Sequence, residues 1–171
     1  MEQLPTFFAP AERDPVDEQC RLCKELASEP LLQPLLDSFP GPALILNQLR
    51  QAVAVNEKLV ALLQIPAGEL LGLRPGEMLD CIRWREEPWG CGTTVFCRAC
   101  EALRAVLNSQ QNQLPDVEDC HINIFQDIGG KASSLDLRIW ATPITIRGQP
   151  LTVVAIQDIS VHACSEARNK L

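Results

Sequence analysis

The chain has 171 residues, 46% of them hydrophobic and 22% charged, which suits one domain with its own core and argues against a disordered chain. A formal charge of -7, with lysines and arginines scattered rather than clustered, leaves no basic surface to neutralise phosphates, so neither nucleic acid nor an anionic membrane is an expected partner. No run approaches the roughly 18 to 20 apolar residues of a membrane span, and the acidic N-terminus lacks the basic-then-apolar order of a signal peptide, so the chain is expected in the cytoplasm.

The start of the chain, with Pro5, Pro10 and Pro15, reads as an arm and is the one stretch where disorder is expected. Between residues 17 and 39, Leu22, Leu26, Leu31, Leu32, Leu35 and Leu36 recur at mostly helical spacings, interrupted by Pro30 and Pro34, which predicts one or two short helices. Ala43 to Asn47 and Gln51 to Val55 are compact apolar runs on either side of a short polar break, and read as a hairpin. Asn56 then caps a helix from Glu57 to about Leu63 that Pro66 stops, and a second short helix follows from Ala67 to Leu71.

The stretch from Leu73 to Gly92 holds Pro75, Gly76, Pro88, Gly90 and Gly92 and is expected to be a long irregular connection. After Thr93 and Thr94, the residues Phe96, Cys100, Leu103 and Leu107 predict one face of a helix running to about Asn108. Three antiparallel strands complete the pattern: Cys120 to Phe125, the alternating Leu135 to Trp140, and Leu151 to Ile156. Two strands, a helical middle and three strands make an α+β fold with a five-stranded sheet, helices on one of its faces and an N-terminal helical extension.

That order, with Phe39-Pro40-Gly41-Pro42 before the first strand, Val55-Asn56-Glu57 at the strand-to-helix junction, Leu70-Leu71-Gly72-Leu73 after the helices and Val154 to Ser160 at the end, resembles the PAS domain family over roughly residues 35 to 160. Leu73-Arg74-Pro75-Gly76-Glu77, Asp80-Cys81, Gly90-Cys91-Gly92-Thr93-Thr94 and Cys97-Arg98-Ala99-Cys100 are similar to a cysteine-rich subgroup of PAS domains that precede bacterial sensor histidine kinases. The resemblance implies an antiparallel sheet of strand order 2-1-5-4-3 and a sensory role in a two-component system, with Asp158-Ile159-Ser160 leading into a signalling helix. It divides the chain into an arm and helix (1–34), a PAS-like domain (35–160) and a tail or start of a signalling helix (161–171). Because the sequence ends at Leu171, no kinase activity of its own is expected. No cysteine sits in a flavin-photosensor context, and neither His121 nor His162 falls in the haem-bearing helix of such domains.

Of the eight cysteines, Cys81, Cys91, Cys97 and Cys100 follow the spacing C-x9-C-x5-C-x2-C. In a reduced compartment such clustering favours metal ligation or redox chemistry over disulfides. Cys97 and Cys100, in the first turns of the predicted helix, are expected near its positive end, which favours thiolates. Four thiolates suit zinc and an iron–sulfur cluster equally, and the spacing fits neither a zinc ribbon nor the common ferredoxin runs. The alternatives are ordinary buried cysteines and a metal-free dithiol pair, Cys97 with Cys100.

Cys20 and Cys23 form a second C-x2-C without a companion pair, Cys120 reads as a core residue, and Cys164 lies in the tail. Neither C-x2-C is followed by His, which removes covalent haem attachment. Trp84 and Trp89 flank the cysteine stretch and read as packing groups that can keep water away from it. Asp116, Glu118 and Asp119 read as a solvated loop, and no nucleophile or acid/base pair stands out. The sequence thus predicts a signal-input module rather than a catalyst, a homodimer formed through its N-terminal helix, sensing redox state or oxygen through the four cysteines and signalling to a histidine kinase or another protein. A structural zinc site and a dithiol protein are the alternatives.

Overall fold

Alternation of apolar side chains builds the sheet. The structure, a computed structural model, describes residues 5–125 and 132–160. Strands β1 (Ala43–Leu46), β2 (Ala52–Val55), β3 (Asp116–Phe125), β4 (Ala132–Ile146) and β5 (Gln149–Asp158) form one antiparallel sheet in the order β2-β1-β5-β4-β3. Leu44 stands opposite Val55 on one side and Val154 on the other, and Ile139 pairs with Ile156, so the register places like faces together.

Odd and even positions of β1 serve two different cores. Leu44 and Leu46 face the same way as Ile122, Ile139 and Val154 and meet Leu59 of α3 (Glu57–Leu63), Leu70 of α4 (Ala67–Leu70) and Val106 of α6 (Glu101–Asn112). Ala43 and Ile45 point to the opposite face, where they pack with Leu26 of α1 (Val16–Ala27) and Leu36 of α2 (Leu32–Asp37). Each fully buried leucine or isoleucine contributes about 1.5–3 kcal/mol. The N-terminal helices therefore cover the sheet face that the other helices leave open.

Asn56 ties these layers together. It is fully buried, and its Oδ1 accepts from the backbone N–H of Leu59 at 2.9 Å, capping α3, and from that of Ala43 at 2.9 Å. Its Nδ2 donates to the carbonyl oxygens of Gly41 and Leu36. Helix α3 stops because Gln64 turns left-handed, at φ 56°, while Pro66 begins α4 rather than ending α3.

Three expectations are corrected. No single helix follows Thr94: a 3₁₀ turn covers Val95–Ala99, Cys100 is extended (ψ 107°), and α6 runs from Glu101 to Asn112. A 3₁₀ turn has three residues per turn, so the helical face breaks and Phe96 ends up 53% exposed. Asp116, Glu118 and Asp119 lie in β3 rather than in a loop. Their charges sit on an edge strand, where Arg104 holds Glu118 and Arg138 holds Asp119.

The third concerns the arm, expected to be disordered: residues 5–15 are docked. Phe7 and Ala9 donate backbone N–H groups to the carbonyls of Thr93 and Gly92 at 2.9 Å, and Ala9 and Ala11 are buried. The expected signalling tail, His162 and Cys164 lie outside the described residues. Among the described residues no helix is long and apolar enough to cross a membrane.

Candidate functional site

Between the helix-covered face of the sheet and residues 74–103 lies a cavity of about 310 Å³. Cys81, Cys91, Cys97 and Cys100 all line it. Each reaches it from a different local device.

Cys81 is held by pairing with the end of β3: it bridges Ile124, and its neighbour Ile82 donates to the carbonyl of Asn123 at 2.9 Å. Cys91 lies between Gly90 (φ 82°) and Gly92 (φ 94°), as the glycine-flanked loop predicts, and these left-handed turns fold it inward. Its N–H donates to Oε1 of Glu77 at 3.1 Å, and its sulfur lies so close to Gly76 that a Cβ there would come within 2.7 Å of it. Cys97 is buried in the 3₁₀ turn, its Sγ 3.3 Å from Oγ1 of Thr94. Cys100 stands at the start of α6.

Burial pushes the Cys91 thiol up to about 12, with Cys100 as the next cause, and it raises Cys81 and Cys100 as well. The expected thiolate at Cys100 is thus corrected for the chain on its own: the Leu103 N–H at the start of α6 pulls its pKa down, but desolvation outweighs it. Cys91 and Cys100 are neutral thiols at neutral pH unless a cation draws them out.

The remaining cysteines sit elsewhere. Cys120 is a core residue of β3, raised to about 12 chiefly by burial. Cys23 packs against the opposite face of the sheet and Cys20 is exposed on α1, so within one chain this pair does not join the four. Trp84 lines the cavity and is anchored by its Nε1 donating to Asp80. His121 is exposed and bonded through Nδ1 to Asp136 at 2.7 Å.

Sequence reasoning misses a buried charge network beside the thiols. Arg74 is 0% exposed and donates to the carbonyls of Leu49, Trp89, Cys91, Ala11 and Glu12. Burial lowers its pKa to about 10. Arg50, 3% exposed and in a left-handed conformation (φ 65°), lines the cavity and donates from Nη2 to the carbonyl of Pro10 at 2.6 Å. Glu77 accepts from the Arg74 N–H through Oε2 and from Arg13 through Oε1. The string Arg74-Pro75-Gly76-Glu77 carries this network, but arginines read as scattered surface charge give no warning of it.

Soft sulfur donors in one cavity fit zinc or an iron–sulfur cluster in kind. Among the described residues no three Cys, His, Asp or Glu side chains are grouped so as to hold a metal ion as they stand. Ligation by Cys81, Cys91, Cys97 and Cys100 therefore requires their loop to tighten.

No family model matches the sequence, and no curated protein matches it. Solved structures do match. The PAS domain of nitrogen regulation protein NR(II) from Vibrio parahaemolyticus superposes with a TM-score of 0.52 at 16% identity, over 75% of this chain and 98% of that one. The Rhodobacter sphaeroides LOV protein (TM-score 0.49, 9% identity, 84% of this chain and 68% of that one) and the PAS domain of BvgS from Bordetella pertussis (0.47, 11%, 81% and 93%) are also similar. Together with the strand order, the first of these shows that the fold is a PAS fold.

Proposed function

We propose that this chain is a PAS-type signal-input module rather than a catalyst, and that Cys81, Cys91, Cys97 and Cys100 form its input site. The supporting observation is that four cysteines held by β3, a glycine-flanked loop, a 3₁₀ turn and a helix start all line one cavity. A soft metal or iron–sulfur cluster bound there supplies sensitivity to oxygen or redox state. The chain's own part is to deliver four sulfurs, exclude water with Trp84, and tie the cysteine loop to the N-terminal arm through Glu77, Arg74 and Arg98.

That tie gives the signal a route out. Arg98 donates to the carbonyl of Phe7 at 2.9 Å, and the arm leads directly into α1, the helix proposed to form the homodimer. The receiving partner is a histidine kinase or another signalling protein, engaged by protein–protein contact.

The test is to expose anaerobically purified protein to air and follow dimerisation by light scattering, with Cys97→Ser as the control. The reading expects a change in assembly in wild type that the variant lacks. Zinc that stays bound in air, with the loop melting when it is chelated, would make the cysteines structural. Formation of a Cys97–Cys100 disulfide, two electrons and two protons passing to the oxidant, would make the site a metal-free dithiol switch.

A further inference from the structure

Helix α1 packs on the back of the sheet through Leu22 and Leu26, and beside that contact a second stripe runs along its flank. Val16, Cys20, Cys23 and Ala27 follow one another at steps of four, three and four residues, the spacing of a coiled-coil seam. Val16 is 74% exposed, Cys20 and Ala27 are exposed, and Cys23 is half-buried at the border with the sheet contact. The stripe reads the same in both directions about a point between Arg21 and Leu22, which is also the midpoint of the helix. A second copy of α1 laid antiparallel therefore sets Val16 against the partner's Ala27 and Cys20 against the partner's Cys23.

Charge and shape favour that arrangement. Arg21 pairs with Glu25 within the helix, so Asp17 and Glu18 dominate its start and Lys24 its end. Antiparallel helices bring each acidic start to the partner's basic end and oppose the helix dipoles, whereas a parallel pair would set the acidic starts side by side. Beside Cys23 and Ala27 lies an apolar groove of about 120 Å³, with Leu32, Val53, Val55 and Leu71 among its walls, where the partner's Val16 reaches. The two cysteines of one chain cannot bridge while α1 stays helical. Side chains three apart on a helix keep their Cβ atoms about 5–6 Å apart, and a disulfide needs about 3.5–4.5 Å. Cys20 still lies within electrostatic reach of Cys23, whose thiol is raised first by burial and then by Cys20.

We infer that two copies of this chain pair antiparallel through α1 and that hydrogen peroxide locks the pair with two disulfides, each joining Cys20 of one copy to Cys23 of the other. The inference rests on the reading of α1 as the dimer helix and not on the cavity cysteines. At each bridge, exposed Cys20 attacks peroxide as its thiolate, giving a sulfenic acid, and the departing hydroxide takes the thiol proton to leave as water. The partner's Cys23 then displaces the sulfenic hydroxyl, which leaves with the second thiol proton as another water, and the S–S bond forms. The two sulfurs give up two electrons and peroxide takes them.

The test treats anaerobically purified full chain with a small molar excess of hydrogen peroxide, blocks free thiols with N-ethylmaleimide, and reads non-reducing gel electrophoresis and tryptic peptide mass spectrometry. Light scattering before oxidation gives the assembly state. Wild type should run as a covalent dimer in which the peptide ending at Arg21 is linked to Leu22-Cys23-Lys24. Cys20→Ser, at an exposed position, and Cys23→Ser should each form about tenfold less of it, because every bridge needs one cysteine of each kind. The two variants co-expressed should recover a singly bridged dimer, since one copy keeps Cys23 where the other keeps Cys20. Cys97→Ser should cross-link like wild type. Linkage of Cys20 to the partner's Cys20, a bridge within one chain, cross-linking that survives Cys20→Ser, or no recovery on co-expression overturns the inference. A chain that scatters as a monomer before oxidation overturns the dimer reading and this inference with it, whereas a dimer that does not cross-link overturns the inference alone.

Discussion

Asn56 and Gly76 illustrate how single atoms fix this fold. Asn56→Ala would leave the buried Ala43 and Leu59 N–H groups without their acceptor, and the expected loss is about 2–4 kcal/mol, measured by chemical denaturation. Gly76→Ala would drive a methyl group into the Cys91 sulfur and should cost about 1–3 kcal/mol while displacing the cysteine loop. Cys120 gives a pH signature. Its thiol is held at about 12 in the folded chain against about 9 when unfolded, so the folded state keeps a proton that the unfolded chain releases. Its contribution is fully present below pH 9 and is lost as pH rises from 9 toward 12. Cys120→Ala should make the fall in denaturation midpoint above pH 9 shallower than in wild type, the Cys91 thiol carrying the remaining slope.

Among the elements, those governed by local rules were legible in the sequence and those governed by distant partners were not. The hairpin β1–β2 and helix α3 fall within a residue of their predicted spans because the compact apolar runs, the Asn56 cap and the turn residues all act within a few positions. The 3₁₀ turn at Val95–Ala99 was hidden because Phe96, Cys100, Leu103 and Leu107 mimic a helical face, while what breaks the helix is the extended backbone at Cys100. The start of β3 was hidden because its charges are satisfied by Arg104 and Arg138, which are far away in sequence. The docked arm depends on carbonyl oxygens taken up by Arg50, Arg74 and Arg98, an interaction that leaves no pattern in composition. Glu77→Gln tests that assembly. It removes the carboxylate that joins α5 (Pro75–Met78) to Cys91 and Arg13, so a loss of about 3 kcal/mol and faster proteolysis within residues 5–15 are expected.

At the scale of the whole molecule, a PAS sheet carries helices on both faces: α3 to α6 pack on the face that holds the cysteine cavity, α5 and α6 lining it, and α1 with α2 cover the back of β1 and β2. The four candidate cysteines were legible as a group from spacing alone, and the structure places all four on one cavity, but the arginines beside them were not. Burial also orders their reactivity. Iodoacetamide at pH 7.5 should modify exposed Cys20 first and Cys91 and Cys120 last, read by peptide mass spectrometry. The central claim is that Cys81, Cys91, Cys97 and Cys100 act as one site. Elemental analysis with an absorption spectrum on anaerobically purified wild type and the single Cys→Ser variants tests it directly. Stoichiometric metal that is lost in each of the four variants and retained in Cys20→Ser and Cys23→Ser is the predicted result. Metal that survives substitution of any two of the four, or that leaves with Cys20 or Cys23, would contradict it.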